Sequence, residues 1–395
     1  MTQPSSVLVV GASAAGLGTA EALRRKGYRG SLTVLGAEAH PPYDRPPLSK
    51  QVLSGAWLPE RLRLRPPQAL DALDAEFLLG DPAVALDAAA RTVRTAAGRT
   101  LSADAVVIAT GVRPRTLPGQ DGLAGVHVVR SLDDAAALRA ELTSAERAVV
   151  VGDGVLGAEI AATARGMGVA VTLVGPQAAP MRAQLGPYVA ALLGELHREH
   201  GVVLRLGTPV DGLTRGGVLV SGGEVLPAEV VVVAVGSEPE TGWLTGSGLV
   251  LDNGVVCDAY CRAAEGIYAA GDVARWFHQG VGAPVRLENR TNAVEQAAAV
   301  AGNILGEHQP YTPVPYFWTD QFDARIQVHG RPAADAEVTV VEGSVADRRF
   351  VAVHRHEGRV TGVLGWNMPK QARLHRQSLL AETADALTGP APTTP

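Results

Sequence analysis

The chain opens on four apolar residues in a row, Val7-Leu8-Val9-Val10, followed at once by Gly11-Ala12-Ser13-Ala14-Ala15-Gly16. An unbroken apolar run that ends on glycine predicts a strand covered on both faces, as in a parallel sheet. Leu17 to Lys26 is rich in Ala and Leu with its charges on one side, which predicts a helix, and Leu32-Thr33-Val34-Leu35 predicts the next strand. The same devices return later. Ala148-Val149-Val150-Val151 leads into Gly152-Asp153-Gly154-Val155-Leu156-Gly157, then a helix over Ala158 to Met167 and a strand over Val169 to Val174. Two further apolar runs end in small-residue turns: 105–108 before Ala109-Thr110-Gly111, and 230–233 before Ala234-Val235-Gly236. Ile267-Tyr268-Ala269-Ala270 predicts a short strand that ends on Gly271-Asp272, and a helix is expected over Asn289 to Leu305. Strands are also expected at 75–79 and 83–86, with a hairpin near Gly98 and a linker from Val112 to Ser131. From Pro310 the character changes. Tyr311, Tyr316, Phe317, Trp318 and Phe322 cluster in a chain only 4% aromatic. Strands are expected near 325–329, 337–342, 348–354 and 360–366, then a helix from Pro369 to Leu387 and a disordered tail over 389–395.

Strand, glycine turn and helix form the opening of a βαβ unit, whose helix N-terminus offers free N–H groups and partial positive charge to a pyrophosphate. The second turn carries the full Gly-x-Gly-x-x-Gly spacing in Gly152, Gly154 and Gly157; the first keeps Gly11 and Gly16 with Ser13 at the middle position. Glu38, just past the second strand, is placed to accept hydrogen bonds from an adenosine ribose. Two such units imply two dinucleotides. At the matching place in the second unit stands Gly175-Pro176-Gln177, with neither an acid for a 2′-hydroxyl nor an arginine for a 2′-phosphate, although Arg182 is near; NADH and NADPH both stay open. Asp272 after Gly271 can accept a bond from a ribityl hydroxyl, and the helix that starts at Asn289-Arg290-Thr291-Asn292 could turn its dipole to a flavin. Between Glu38 and residue 51, the loop His40-Pro41-Pro42-Tyr43-Asp44-Arg45-Pro46-Pro47-Leu48-Ser49-Lys50 is locked by proline and can hold Arg45 and Lys50 against a cofactor, the other reading being a solvated connector. Glu159 lies just inside the second helix, where a carboxylate serves either chemistry or the helix start. Arg61, Arg63 and Arg65 read as a solvated edge or a charged docking rim.

Composition narrows the field. At 395 residues the chain predicts two or three domains, and no run is long or apolar enough to span a membrane. No targeting segment is read at the N-terminus, so a cytoplasmic location is expected. A net charge of −5 argues against nucleic acid as partner. Cys257 and Cys261 have neither a redox nor a zinc spacing and read as ordinary cysteines; no metal site is expected. Of the 35 basic residues only Lys26, Lys50 and Lys370 are lysine, which marks Lys50 inside its proline loop.

Taken together, 41–50, both glycine turns, Ala109-Thr110-Gly111, Gly271-Asp272 and Asn292-Ala293-Val294-Glu295-Gln296 resemble the FAD-dependent ferredoxin reductases of bacterial oxygenase and cytochrome P450 systems, over nearly the whole chain. The resemblance implies an α/β fold of two Rossmann-like dinucleotide-binding domains, glutathione-reductase-like, plus a small α+β C-terminal domain. It implies an FAD domain split over 1–112 and 243–322, an NAD(P)H domain over 113–242 and a C-terminal domain over 323–388. It implies hydride transfer from NADH or NADPH to FAD, then single electrons to an iron–sulfur ferredoxin that serves a P450 or a ring hydroxylase. Site residues follow by position: Lys50 and Glu159 paired beside the flavin, Trp318 at its edge toward the ferredoxin, and Gly11, Ser13, Ala15, Gly16, Glu38, Arg45, Val84, Ala109, Thr110, Gly111, Arg130, Gly271, Asp272 and Asn292 around FAD. Gly152, Gly154, Leu156, Gly157, Glu159, Arg182 and Gly236 would hold NAD(P)H. Two departures stand out: the family often has an acid where Gly175 stands, and His-Trp where Asn289-Arg290 stand. Ferredoxins are acidic, so a basic docking patch is expected among Arg348, Arg349, His354, Arg355, His356, Arg359, Lys370, Arg373, His375 and Arg376. The alternatives are a reductase of the same fold with another acceptor (rubredoxin, nitrite-reductase-linked or monodehydroascorbate type) and a signalling flavoprotein, the latter disfavoured by the acidic charge. The absence of a suitably placed cysteine disfavours disulfide-reducing relatives.

Overall fold

The computed structural model describes residues 3–120 and 122–388; the tail expected over 389–395 lies outside the described residues. The described residues divide into two compact units, 3–44, 62–113 and 238–313 in one, and 45–61, 114–120, 122–237 and 314–388 in the other.

The first unit is built on a six-stranded sheet in the order Arg262–Ala264, Ile267–Ala269, Ala105–Ile108, Ser6–Val10, Ser31–Gly36, Glu76–Leu79. Ser6–Val10 lies at the centre, parallel to both neighbours, with Val9 opposite Val34 on one side and Val107 on the other. Val9, Val34, Val106, Val107 and Ile108 are fully buried, which is what an all-apolar strand between two covered faces requires. Helix Ala14–Arg25 begins inside the glycine turn, three residues before the expected Leu17, because extended Ser13 already serves as its N-cap. It packs on helix Arg290–Ile304 so closely that a Cβ on Gly18 would stand 3.3 Å from that of Ala297. The expected hairpin at Gly98 joins Thr92–Thr95 to Thr100–Ser102.

The second unit repeats the device. Its parallel sheet runs Val203–Leu206, Ala170–Gly175, Arg147–Val151, Val230–Val233, Val126–His127. The edge strand Val126–His127 comes from the stretch expected to be a linker; it pairs with Val231 and Val232. Helices Leu132–Leu142 and Arg182–Glu199 were not expected. The latter is broken at Gly186 (φ +75°), just before Pro187. The C-terminal part is a five-stranded antiparallel sheet, Tyr316–Gln321, Ala324–Gly330, Arg359–Trp366, Arg349–His356, Glu337–Ser344, against which helix Pro369–Thr388 packs. The aromatic run expected to precede this sheet is itself its first strand: Trp318 pairs with Gln327 and Thr319 with Ile326.

Candidate active site

Both glycine turns have the same geometry. Gly11 and Gly152 sit at φ +120° and +114°, and a Cβ on either would stand 2.2 Å from a carbonyl oxygen, of Ala109 or Ala234. Gly16 and Gly157 press on the turns from the helix side, their Cβ positions less than 2 Å from the carbonyl oxygens of Gly11 and Gly152. At the middle position the two differ. A Cβ on Gly154 would meet nothing within 4 Å, so the glycine leaves room at the helix start, where Leu156 and the first-turn N–H groups lie. Ser13 fills that position in the first turn.

In the first unit the predicted residues collect around the carboxyl end of the central strand. Ala15 and Gly16 open helix Ala14–Arg25. Glu38 follows strand Ser31–Gly36 by two residues, and the Tyr43 hydroxyl donates to its Oε2 at 2.5 Å. Ala109, Thr110 and Gly111 follow strand Ala105–Ile108, the Thr110 hydroxyl donating to the Glu240 carbonyl at 2.9 Å. Gly271 (φ +78°) donates its N–H to Gln296 Oε1 at 2.8 Å. Asn292, buried in the first turn of helix Arg290–Ile304, donates to the Leu287 carbonyl at 3.3 Å and accepts from the Tyr311 hydroxyl at 3.1 Å. Burial pushes that Tyr311 hydroxyl's pKa far above the ordinary phenol value. Arg286 donates to the Asp272 carbonyl at 3.0 Å. Arg290, where the family often has an aromatic residue, donates to Asp44 Oδ1 at 2.6 Å. A cavity of about 350 Å³ opens between the two helix starts, lined by Ala14, Leu17, Gly18, Arg290 and Val294 among others. Val84 stands half exposed on strand Ala83–Asp87. The close-packed glycine turn, the helix N-terminus beyond it and the carboxylate past the second strand fit a dinucleotide such as FAD.

The second unit holds the ionic centre. Lys50 Nζ lies 2.8 Å from Glu159 Oε2, with side chains 11% and 6% exposed. Ser49 donates its hydroxyl to the same Oε2 at 2.6 Å, and Thr319 donates to Oε1 at 2.7 Å. Each carboxylate oxygen is thus satisfied, which a buried charge requires. The network continues inward: Gln321 Nε2 donates to the Thr319 hydroxyl at 3.0 Å, and its Oε1 stands 2.7 Å from His197 Nε2. Because the amide oxygen can only accept, the chain of donors places a proton on His197 Nε2; burial holds this imidazole below its ordinary pKa, in the neutral form. Ser49, Thr319, Gln321 and His197 were not singled out from the sequence. The signal was present in the alternation of Tyr316–Gln321, which puts Phe317, Thr319 and Gln321 on one face and Tyr316 and Trp318 on the other. On that other face Tyr316 stacks between Trp318 (6.0 Å between ring centres) and His329 (4.7 Å).

Arg45 donates to the Arg130 carbonyl at 2.6 Å. Arg182 opens its helix and is exposed, and Gly236 (φ +97°) accepts from the Arg115 N–H at 3.0 Å. Of the expected basic patch, Arg348 is paired with Glu199 at 2.7 Å, while His354 is wholly buried in its sheet and drops out as a surface group. Cys257 and Cys261 are free and buried; burial raises both thiols, Cys261 to about 12, so neither is a thiolate nucleophile. Among the described residues no cluster could hold a metal ion, and no helix is long and apolar enough to cross a membrane.

Comparison with known proteins agrees with this geometry. The profile of the pyridine nucleotide-disulphide oxidoreductases matches residues 5–297, and that of the reductase C-terminal family matches 316–388. Rhodocoxin reductase of Rhodococcus erythropolis is 36% identical, over 95% of this chain and 90% of its own. This chain belongs to the FAD-dependent ferredoxin reductases of bacterial oxygenase and cytochrome P450 systems. Among solved structures, the ferredoxin reductase for the CYP199A2 system of Rhodopseudomonas palustris is similar at a TM-score of 0.91 and 32% identity, covering 95% of each chain. The putidaredoxin reductase in a covalent complex with putidaredoxin is similar at 0.89 and 33%, covering 95% and 93%. As a ferredoxin reductase it is an oxidoreductase that uses FAD and a nicotinamide dinucleotide, with a ferredoxin and, through it, an oxygenase as partners.

Proposed function

We propose that this ferredoxin reductase takes hydride from a reduced nicotinamide bound at the Gly152–Gly157 turn and hands electrons singly to its ferredoxin. FAD would be held by Gly11, Ser13, Ala15, Gly16, Glu38, Val84, Ala109–Gly111, Gly271, Asp272 and Asn292, with Arg45, Lys50, Arg130 and Trp318. Bound flavin supplies the chemistry the side chains lack, accepting electrons in pairs and releasing them one by one. The domain division we propose is FAD over 1–112 and 243–322, NAD(P)H over 113–242 and a C-terminal domain over 323–388. The observation that carries this reading is the buried Lys50–Glu159 pair. A stability function alone gives little reason to bury such a pair, since hydrophobic residues of similar volume often serve as well. A fixed positive charge beside a developing negative one is the standard electrostatic contribution to catalysis. Lys50 would serve that role, Glu159 would orient it, and Trp318 would stand on the acceptor side. We also propose the cytoplasm as its compartment, to be checked by cell fractionation.

Stopped-flow reduction of the purified flavoprotein tests the whole reading. NADH and NADPH would be compared as donors, and cytochrome c reduction followed with and without an iron–sulfur ferredoxin. Ferredoxin-dependent turnover is expected. Rapid flavin reduction with no response to any ferredoxin would redirect the search to small-molecule acceptors.

A further inference from the structure

The two glycine turns can be laid on one another residue by residue. Gly11 donates its N–H to the Leu35 carbonyl at 2.7 Å, and Gly152 donates to that of Val174 at 2.8 Å. This equates Gly36 with Gly175, Glu38 with Gln177, and Ala12 with Asp153. The two units therefore place their carboxylate differently. In the first it is Glu38, two residues past the strand. In the second that position is the neutral Gln177, and the acid stands inside the turn, at Asp153.

The surroundings of Asp153 are specific. Its side chain lies over Gly175: a Cβ there would stand 2.4 Å from Oδ2 and 2.5 Å from Cγ. A side chain at 175, the acid usual in the family included, would require the Asp153 carboxylate to move. Oδ2 accepts from the Gln177 N–H and Oδ1 from Gln177 Nε2, both at 2.7 Å. The Gln177 amide oxygen in turn accepts from the Ala183 N–H at 2.8 Å, so the turn, the end of strand Ala170–Gly175 and the start of helix Arg182–Glu199 are tied together. Asp153 is only 4% exposed, and both groups that bond it are neutral amides. Its negative charge is held in place but not cancelled.

We infer that Asp153 is the residue that selects NADH over NADPH, doing from the turn what an acid past the strand does elsewhere. The inference rests on the second unit being the nicotinamide dinucleotide site. An adenosine ribose there lies over the glycine turn and the end of the next strand, where Asp153 is fixed. A 2′-phosphate would bring up to two negative charges against a carboxylate whose described hydrogen-bond donors are neutral amides; a 2′-hydroxyl brings none. Gly175 is the consequence of this arrangement: the strand end is kept bare so that the acid in the turn can occupy it.

The test compares the flavin-loaded wild type with Asp153→Asn, Asp153→Ser and Gln177→Met. Calorimetry measures binding of adenosine 2′,5′-bisphosphate and of AMP, and stopped flow measures flavin reduction by NADPH and NADH. Removing the charge is expected to raise relative binding of the bisphosphate, and the relative rate with NADPH, by about tenfold. Gln177→Met cuts the tie to the loop but keeps the charge, and is expected to leave both ratios within about twofold, well under the tenfold step that one lost charge makes. If Gln177→Met moves the ratios as far as Asp153→Asn does, Asp153 acts only by holding the loop and the proposal falls. Unchanged ratios in both Asp153 variants overturn it as well, the serine variant guarding against a misfolded asparagine one. Failure of the wild type to bind either nucleotide, or to be reduced by either donor, would overturn the reading of the second unit together with the proposal; normal binding with unmoved ratios overturns the proposal alone.

Discussion

Glu159 holds its carboxylate where little water reaches it, and three side chains from two separate stretches of the chain bond it: Lys50 and Ser49 on one oxygen, Thr319 on the other. Removing either charged partner leaves the other buried with part of its bonding lost. Lys50→Ala or Glu159→Ala is expected to slow flavin reduction by NADH about tenfold or more while the protein still binds FAD and folds; unchanged hydride-transfer rates in both would take the pair out of the mechanism. Thr319 bonds Glu159, so its variant separates positioning from packing. Thr319→Val keeps the shape and strips one donor, which should destabilise the protein by about 1–3 kcal/mol in urea titrations of the FAD-loaded form. It should also slow flavin reduction, whereas Thr319→Ser restores both. At this scale the sequence told most about residues that break a local rule: a lysine in an arginine-rich chain, glycines at fixed spacing. It told least about Ser49, Thr319 and Gln321, ordinary polar residues whose meaning comes from the partner they meet more than a hundred positions away.

The C-terminal sheet carries two buried histidines, His329 and His354, on strands that Arg359–Trp366 separates, and their ring nitrogens have no hydrogen-bond partner. Burial lowers both to about 4 from 6.5, with Arg376 and Arg373 pressing further on His329. The unfolded chain therefore binds protons between pH 6.5 and 4 that the folded sheet refuses, and stability must fall as pH drops through that window. Each histidine contributes up to about 3 kcal/mol of this loss. Thermal unfolding of the wild type should show a falling midpoint from pH 7 to pH 4, and His354→Leu should flatten the slope; an equal slope in the variant would assign the acid lability elsewhere. Elements were legible here in proportion to the regularity of their pattern. The four strands from residue 324 onward carry apolar runs or alternation and were found where expected. Tyr316–Gln321 was hidden because its aromatic face reads as a cluster rather than as a strand. Leu132–Leu142 lay behind a capping box, Ser131 with Asp134, at the end of a proline- and glycine-rich stretch that reads as linker up to its last residue. The two-residue strand Val126–His127 has no local signature, since only its parallel neighbour Val230–Val233 makes it a strand.

Over the whole molecule the internal duplication was the most legible feature, because two glycine turns with the same flanking strands are a long-range regularity that a single sequence can show. How the surface meets an acidic ferredoxin was not, because charge counts say nothing of which faces carry them. With a net charge of −5 the molecule as a whole repels such a partner, so association must depend on a local basic region. Arg373 and Arg376 lie near the Tyr316–His329 stack that continues to Trp318, and Arg373 is exposed; Arg348, by contrast, is neutralised by Glu199. A local attraction set against a global repulsion is screened over a Debye length of about 8 Å at physiological salt. Ferredoxin reduction should therefore slow steeply as salt rises, while reduction of a small neutral dye by the same enzyme stays level. Reversing one charge in Arg373→Glu should lower the low-salt ferredoxin rate about tenfold and flatten its salt dependence, with dye reduction unchanged. Equal salt slopes for ferredoxin and dye would remove electrostatic steering from the account, and a steep slope that survives in Arg373→Glu would move the docking face away from the helix that bears it.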